Sequence, residues 1–191
     1  NYADLIDPKL SPAWAGKIAI PPYVAWLAEL SLVWGTEKVK DFTRKLVGIS
    51  AGRLRYSEEE RVVSGEFPIM ANFGDALSAM WTWPPKGAPL VAVPGVTPIN
   101  TDYFQLSAPK NAPHPNLAKL FVAFMATREA QTILQKYESR SAHLVEGTIM
   151  QKYLKENKVA VQEPKLSISY YLKGESDEGL LFKEELAKIL K

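Results

Sequence analysis

Apolar positions recur along this chain at two spacings, and the change between them marks off short strands from amphipathic helices. Lys17-Ile18-Ala19-Ile20 is a β-branched run closed by Pro21-Pro22, which predicts a strand ending at a turn. Trp26, Leu27, Leu30, Val33 and Trp34 then share one helical face. Gly35 ends that helix, and Thr36 caps another that carries Val39, Phe42 and Leu46 and stops at Gly48. Ser57-Glu58-Glu59-Glu60 fits a capping box and predicts a short helix to about Gly65. Phe67-Pro68-Ile69-Met70-Ala71 predicts a strand, and Asn72-Phe73-Gly74-Asp75 a turn into a helix bearing Leu77, Met80 and Trp81. Trp83-Pro84-Pro85-Lys86-Gly87 breaks that helix. Pro89–Val93 and Tyr103–Leu106 read as two further strands. Strands alternating with helices point to an α/β sheet covered on both faces.

The strongest local signal lies at Ala112-Pro113-His114-Pro115-Asn116. The second proline suits the first helical position, where its missing N–H costs nothing. Leu117, Leu120, Phe121, Phe124 and Met125 follow at three- and four-residue spacing, giving one wide apolar face that demands a partner surface. Thr127 is the expected cap of a next helix carrying Ile133, Leu134 and Tyr137. Ile149–Leu154 reads as helix, Gln162–Lys165 as linker, Leu166–Leu172 as extended chain, and Phe182, Leu186, Ile189 and Leu190 as a terminal helix.

Composition narrows the function classes. The chain has 191 residues and 47% hydrophobic content, enough for a real core, while 23 Lys and Arg nearly balance 21 Asp and Glu. No field is thereby created that would steer it to nucleic acid. There is no cysteine, which removes disulfides, thiolate metal sites and thiol catalysis together. The chain starts at Asn1 and reads as a mature or trimmed product.

Enzyme motifs are weak on inspection. Gly48-Ile49-Ser50-Ala51-Gly52 fits the nucleophile-elbow pattern of a serine hydrolase, but an elbow needs a strand before the serine, and here an amphipathic helix precedes it. Ser107-Ala108-Pro109-Lys110 fits S-x-x-K with a proline that opposes the helical turn it needs. His114 and His143 are the only histidines and have no visible ligand partners, so no metal or cofactor is expected. Trp81 reads as core from its spacing to Leu77, and Trp83 as cover for the Pro84-Pro85 turn. Arg53, Arg55 and Tyr56, just before a helix start, could receive a carboxylate or phosphate, a solvated loop being the plainer account.

Several ordered segments resemble the extracellular solute-binding proteins of bacterial ABC importers, in the group that includes ferric-iron and polyamine binders. They are Tyr2–Lys9 with Trp14–Ile20, Ser64-Gly65-Glu66-Phe67-Pro68-Ile69, Lys86-Gly87-Ala88-Pro89-Leu90, Ala112–Phe121 and Thr127-Arg128-Glu129-Ala130-Gln131. The resemblance covers roughly residues 2 to 137. Two departures stand out. Leu10–Ala13 is an insertion, and Asn72-Phe73-Gly74-Asp75 occupies the place where ferric-binding members carry adjacent tyrosines, which departs from phenolate iron ligation.

The resemblance implies a periplasmic-binding-protein-like (type II) lobe, a mixed sheet flanked by helices, with a helical return segment from the other lobe. On that plan residues 1–100 form the second lobe, 101–140 the return crossing that normally completes the first lobe, and 141–191 a helical and extended segment packing on the lobes. The chain would be a fragment lacking the first lobe's main sheet, and a second copy or a separate N-terminal fragment would cover 101–140. The implied function is non-catalytic: capture of a small molecule or ion between two lobes and delivery to an ABC permease. The implied place is periplasmic or extracellular, membrane-associated through the transporter. Ligand contacts would come from Tyr23, Arg55, Asn72, Phe73, Gly74 and Asp75. The other readings are a hydrolase using Ser50 and an interaction module with no ligand.

Overall fold

A computed structural model describes residues 1–72, 76–100, 106–138, 142, 144–162 and 168–191. A first turn of helix, α1 (Tyr2–Leu5), is capped by the Asn1 side chain and leads to β1 (Ile18–Ile20). α2 (Ala25–Trp34) and α3 (Thr36–Ile49) follow, hinged at Gly35, whose φ of 79° lets one residue end the first helix and begin the second. Gly35 therefore holds the cap position expected of Thr36, and α3 runs through Gly48 to Ile49.

β2 (Ser50–Arg53) has no strand signature of its own, yet it pairs in parallel with β1. α4 (Glu60–Val63) and β3 (Ile69–Met70) come next, and β3 lies parallel on the other side of β1. The sheet order is β2-β1-β3, all parallel. The mixed sheet expected from the resemblance is thus replaced, among the described residues, by parallel pairing. The ladder extends past the strands: Leu54 N donates to Ile20 O at 3.1 Å and Ala71 N to Ala19 O at 2.9 Å.

Alternation along β1 divides the core. Ile18 and Ile20 face Leu27, Leu30, Val39, Phe42 and Leu46 of α2 and α3. Ala19 faces the other way, onto Leu54 and Phe67. A strand buried at every position is what a parallel sheet covered on both faces requires.

α5 (Ala76–Thr82) ends before a single 3-10 turn, Pro84–Lys86. The expected strand Pro89–Val93 forms no ladder among the described residues; Leu90 N donates to Ala88 O at 2.9 Å in a tight turn, and Val91 and Val93 are exposed. β4 (Ile99–Asn100) instead pairs in parallel with the later β5 (Val161–Gln162). Of the strand expected at Tyr103–Leu106, residues 103–105 lie outside the described residues.

α6 (Pro115–Met125) starts with Pro115 as its first residue, as read from the sequence. Thr127 Oγ1 accepts from Ala130 N at 3.3 Å at the start of α7 (Arg128–Glu138). α8 (Ile149–Glu156) is capped by the buried Thr148, and Gln135 of α7 accepts from Ile149 N at 2.7 Å. α9 (Ile168–Gly174) is helical, which corrects the extended reading from 168 to 172; residues 166–167 of that reading and 163–165 of the expected linker lie outside the described residues, and Gln162 belongs to β5. α10 (Asp177–Leu190) lays Phe182, Leu186 and Leu190 against α3 and α2 and so joins the core of the β1–β3 sheet. The Lys40–Glu185 ion pair at 2.6 Å borders that contact and holds the Glu185 carboxyl below its usual range. No helix among the described residues is long and apolar enough to cross a membrane.

Candidate functional site

All three strands of the main sheet point their carboxyl ends the same way, and each leaves the core there within a few residues. Buried Ile20 and Pro21 are followed by Tyr23, buried Leu54 by Arg55 and Tyr56, and buried Ala71 by Asn72. In an open parallel sheet this edge is where ligands are received, at the point where successive connections leave to opposite sides. Here the chain passes from β2, on one side of β1, to β3 on the other.

The side chains converge. The Tyr23 and Tyr56 rings lie 4.7 Å apart, tilted by 42°. Tyr56 Oη donates to Asn72 Oδ1 at 2.9 Å, and Asn72 Nδ2 donates to Tyr2 Oη at 3.0 Å. Asn72 is thereby fixed in one amide orientation, donor toward Tyr2 and acceptor toward Tyr56. Behind it Tyr2 packs on Trp26 at 5.6 Å, Phe42 at 5.9 Å and Trp34 at 6.5 Å, linking the site to the core. Tyr2 N also donates to Gly95 O at 2.6 Å, so the 95 region crosses beside the N-terminal turn.

Electrostatics set both hydroxyls as neutral phenols. Burial pushes the Tyr56 phenol up to about 12, with further rises from Tyr2, Glu29 and Tyr23. Burial also raises Tyr2, whose hydroxyl lies deep although the residue is partly exposed; the Asn72 hydrogen bond opposes that rise and Glu29 adds to it.

Of the residues expected from sequence, Tyr23 and Asn72 are thus brought together. Phe73, Gly74 and Asp75 lie outside the described residues. Arg55 donates its backbone N–H to Glu58 Oε2 at 2.6 Å while its side chain is exposed. Glu58 and Glu59 are used on the Arg55 and Ser57 N–H groups, so the capping box expected at Ser57 does not form; Ser57 instead turns at φ 75°. Arg53 is corrected from a ligand candidate to a structural clamp: its Nε and Nη2 donate to Leu190 O, and its Nη1 to Ser50 Oγ. Trp81 is about half exposed rather than core. Lys86 Nζ sits 5.0 Å from the Trp83 ring centroid beside the proline turn.

Tyr2 was not legible as a site residue. It lies 70 positions before Asn72, so no local spacing marks it.

The elbow reading of Ser50 meets a contrary geometry. Helix α3 precedes Ser50 and strand β2 follows it, the reverse of an elbow, and Ser50 Oγ donates to Val47 O at 2.9 Å. Among the described residues no group of three His, Asp or Glu is placed to hold a metal ion.

The apolar face of α6 is open among the described residues. Leu117, Leu120 and Phe121 are 62%, 65% and 54% exposed, and the packing of α6 is against α7.

The model of the bacterial extracellular solute-binding protein family matches residues 6–137. No curated protein and no solved structure matches the chain. The match spans β1, β2 and β3, with Tyr23, Tyr56 and Asn72 at their ends. An α/β chain with a small parallel sheet flanked by helices accords with that match, and the chain belongs to the bacterial extracellular solute-binding protein family.

Proposed function

We propose that the chain is the solute-binding component of an ABC importer, capturing a small ligand outside the cytoplasmic membrane and delivering it to a permease. In this reading residues 1–100 are the second lobe of a type II binding fold. Residues 101–140 return to the other lobe, and 141–191 pack on both. Ligand sits at the carboxyl ends of β1, β2 and β3, and closure of the two lobes around it is the working step. The observation that carries the reading is the meeting of Tyr23, Tyr56 and Asn72 from three separate strand ends. Arg55 sits on the same rim, and Phe73, Gly74 and Asp75 belong to the proposal by sequence position alone. The exposed side of α6 supports docking of further polypeptide, a second copy or another part of the protein, over residues 101–140.

A thermal-shift screen of sugars, amines, metal ions, phosphonates and organic acids on the full chain tests this. A ligand that binds only the folded state, present at about a hundred times its Kd, stabilises by about 2.7 kcal/mol. One class should raise Tm, and Asn72→Ala should remove most of that rise. Silence across every class, with the chain folded, would favour an interaction module instead.

A further inference from the structure

Tyr56 stands beyond β2, in a turn where Glu58 N donates to Arg55 O at 3.3 Å and Ser57 adopts a φ of 75°. It is past the ladder, so strand pairing does not set its side chain. Two contacts do, the Tyr23 ring at 4.7 Å and the Asn72 amide oxygen at 2.9 Å. The ring pair stays partly open to solvent, and the face it offers there depends on where Asn72 keeps the Tyr56 hydroxyl.

Asn72 cannot hold that hydroxyl alone. The torsion that turns an asparagine amide is broad, so the plane of the amide is set by its partners. Here there are two, Tyr56 Oη at the oxygen and Tyr2 Oη at the nitrogen, 3.0 Å away. Without the second, a single hydrogen bond remains, and the amide can swing about it.

Tyr2 is anchored from both ends. Its ring lies among Trp26, Phe42 and Trp34, and its backbone N–H donates to Gly95 O at 2.6 Å. A phenylalanine would fill the same space. The hydroxyl adds one thing to that packing, the bond from Asn72.

We propose that Tyr2 is a positioning residue for the solute face: through Asn72 it sets the Tyr56 ring against Tyr23. This rests on the carboxyl edge of β1–β3 being the solute site. The face then answers to the seating of α1 beside Gly95. Displacing that turn loosens the ring pair, and by linkage a solute that braces the pair tightens the turn.

Nuclear magnetic resonance of the full chain, with 13C-labelled tyrosine rings, tests it. Tyr56→Leu supplies the reference, the Tyr23 resonances with no ring beside them. Tyr2→Phe keeps the packed ring and deletes only the oxygen; it should carry the Tyr23 resonances about half of the way or more to that reference. Asn72→Ala should carry them as far. Adding Tyr2→Phe to Asn72→Ala should move them no further, since the relay is already cut. Amide protection at Ile18–Ile20 should persist in all variants. If Tyr2 only fills the core, Tyr2→Phe leaves Tyr23 unmoved, and that result overturns the inference. So does an equal added shift in the Asn72→Ala background, or loss of folding in Tyr2→Phe, which would make the hydroxyl a requirement of the core. Tyr23 resonances unmoved by Tyr56→Leu would overturn the ring contact and the inference with it. Tyr23 shifting as expected while every solute class stays silent in the thermal-shift screen removes the solute site and leaves the positioning of Tyr56 in place.

Discussion

Arg53 and Leu190, 137 residues apart, are joined by two hydrogen bonds: Nε and Nη2 of the arginine reach the leucine carbonyl at 3.0 and 2.7 Å. The carbonyl is one of those that the end of α10 leaves without a helical partner, and a cation there also suits the helix dipole. The clamp ties the chain's last helix to the strand that leads into Tyr56.

Arg53→Ala should therefore cost about 1.5–3 kcal/mol, the range for a hydrogen bond to a charged group. Urea unfolding measures it, and hydrogen exchange should rise at both the end of α10 and residues 53–56. Exchange confined to α10 would mean that the clamp does not reach the site.

Alkaline pH should destabilise the chain through Tyr56. Its phenol is raised in the folded state to about 12, so the folded chain favours the protonated form. That contribution is fully present below the ordinary tyrosine value of 10.0 and is lost as pH climbs from there toward about 12. Unfolding midpoints at stepped pH should fall across this window, and less so in Tyr56→Phe, which at neutral pH should cost about 0.5–1.5 kcal/mol for the lost bond to Asn72. Identical pH profiles for the two proteins would contradict the placement of that hydroxyl.

Gly95 lies so close to Tyr2 that an added Cβ would enter the phenol ring, and Tyr2 has little room to yield because its hydroxyl is held by Asn72. Gly95→Ala should cost about 1–3 kcal/mol as an overpacking change. A double-mutant cycle with Tyr2→Ala separates the causes: the two changes should cost less together than their sum, since the smaller side chain removes the clash. Strict additivity would place the penalty elsewhere.

The α6 face gives an opposite expectation. Leu120→Asp and Phe121→Asp should change stability by no more than about 0.5 kcal/mol, because the described residues leave more than half of each exposed. Sedimentation at rising concentration should show less association in both variants. A large loss of stability would show that the face is packed within the chain itself.

The parts of the fold legible in sequence were those with a strong local signature. The β-branched run at Ile18–Ile20, the Pro115 start of α6, the Thr127 cap and the Phe182, Leu186 and Leu190 face of α10 all stand as read. β2 was hidden because Ser50-Ala51-Gly52-Arg53 carries no apolar alternation; its place comes from pairing with β1 and from Phe67, which lies over Gly52. Pro89–Val93 misled for the reverse reason, since β propensity without a neighbouring strand among the described residues forms no ladder. Ile168–Gly174 likewise carries an isoleucine and tyrosines that suit a strand, yet it forms α9, which packs on α10. At the site, Tyr23 and Asn72 were legible because each follows a readable strand. Tyr2 was not, since only tertiary packing carries it to Asn72.

The step out of the buried core at the carboxyl edge of the main sheet is only one or two positions wide, at Pro21 to exposed Tyr23, Leu54 to exposed Arg55 and Ala71 to half-buried Asn72. Whatever varies at 23, 55 and 56 therefore varies on top of a finished scaffold, while Asn72 stays fixed because it holds Tyr2 against Trp26 and Phe42. Such an edge is a replaceable layer: a combinatorial library confined to these three positions could be searched for new ligands without asking Ile18, Leu27 or Phe42 to repack.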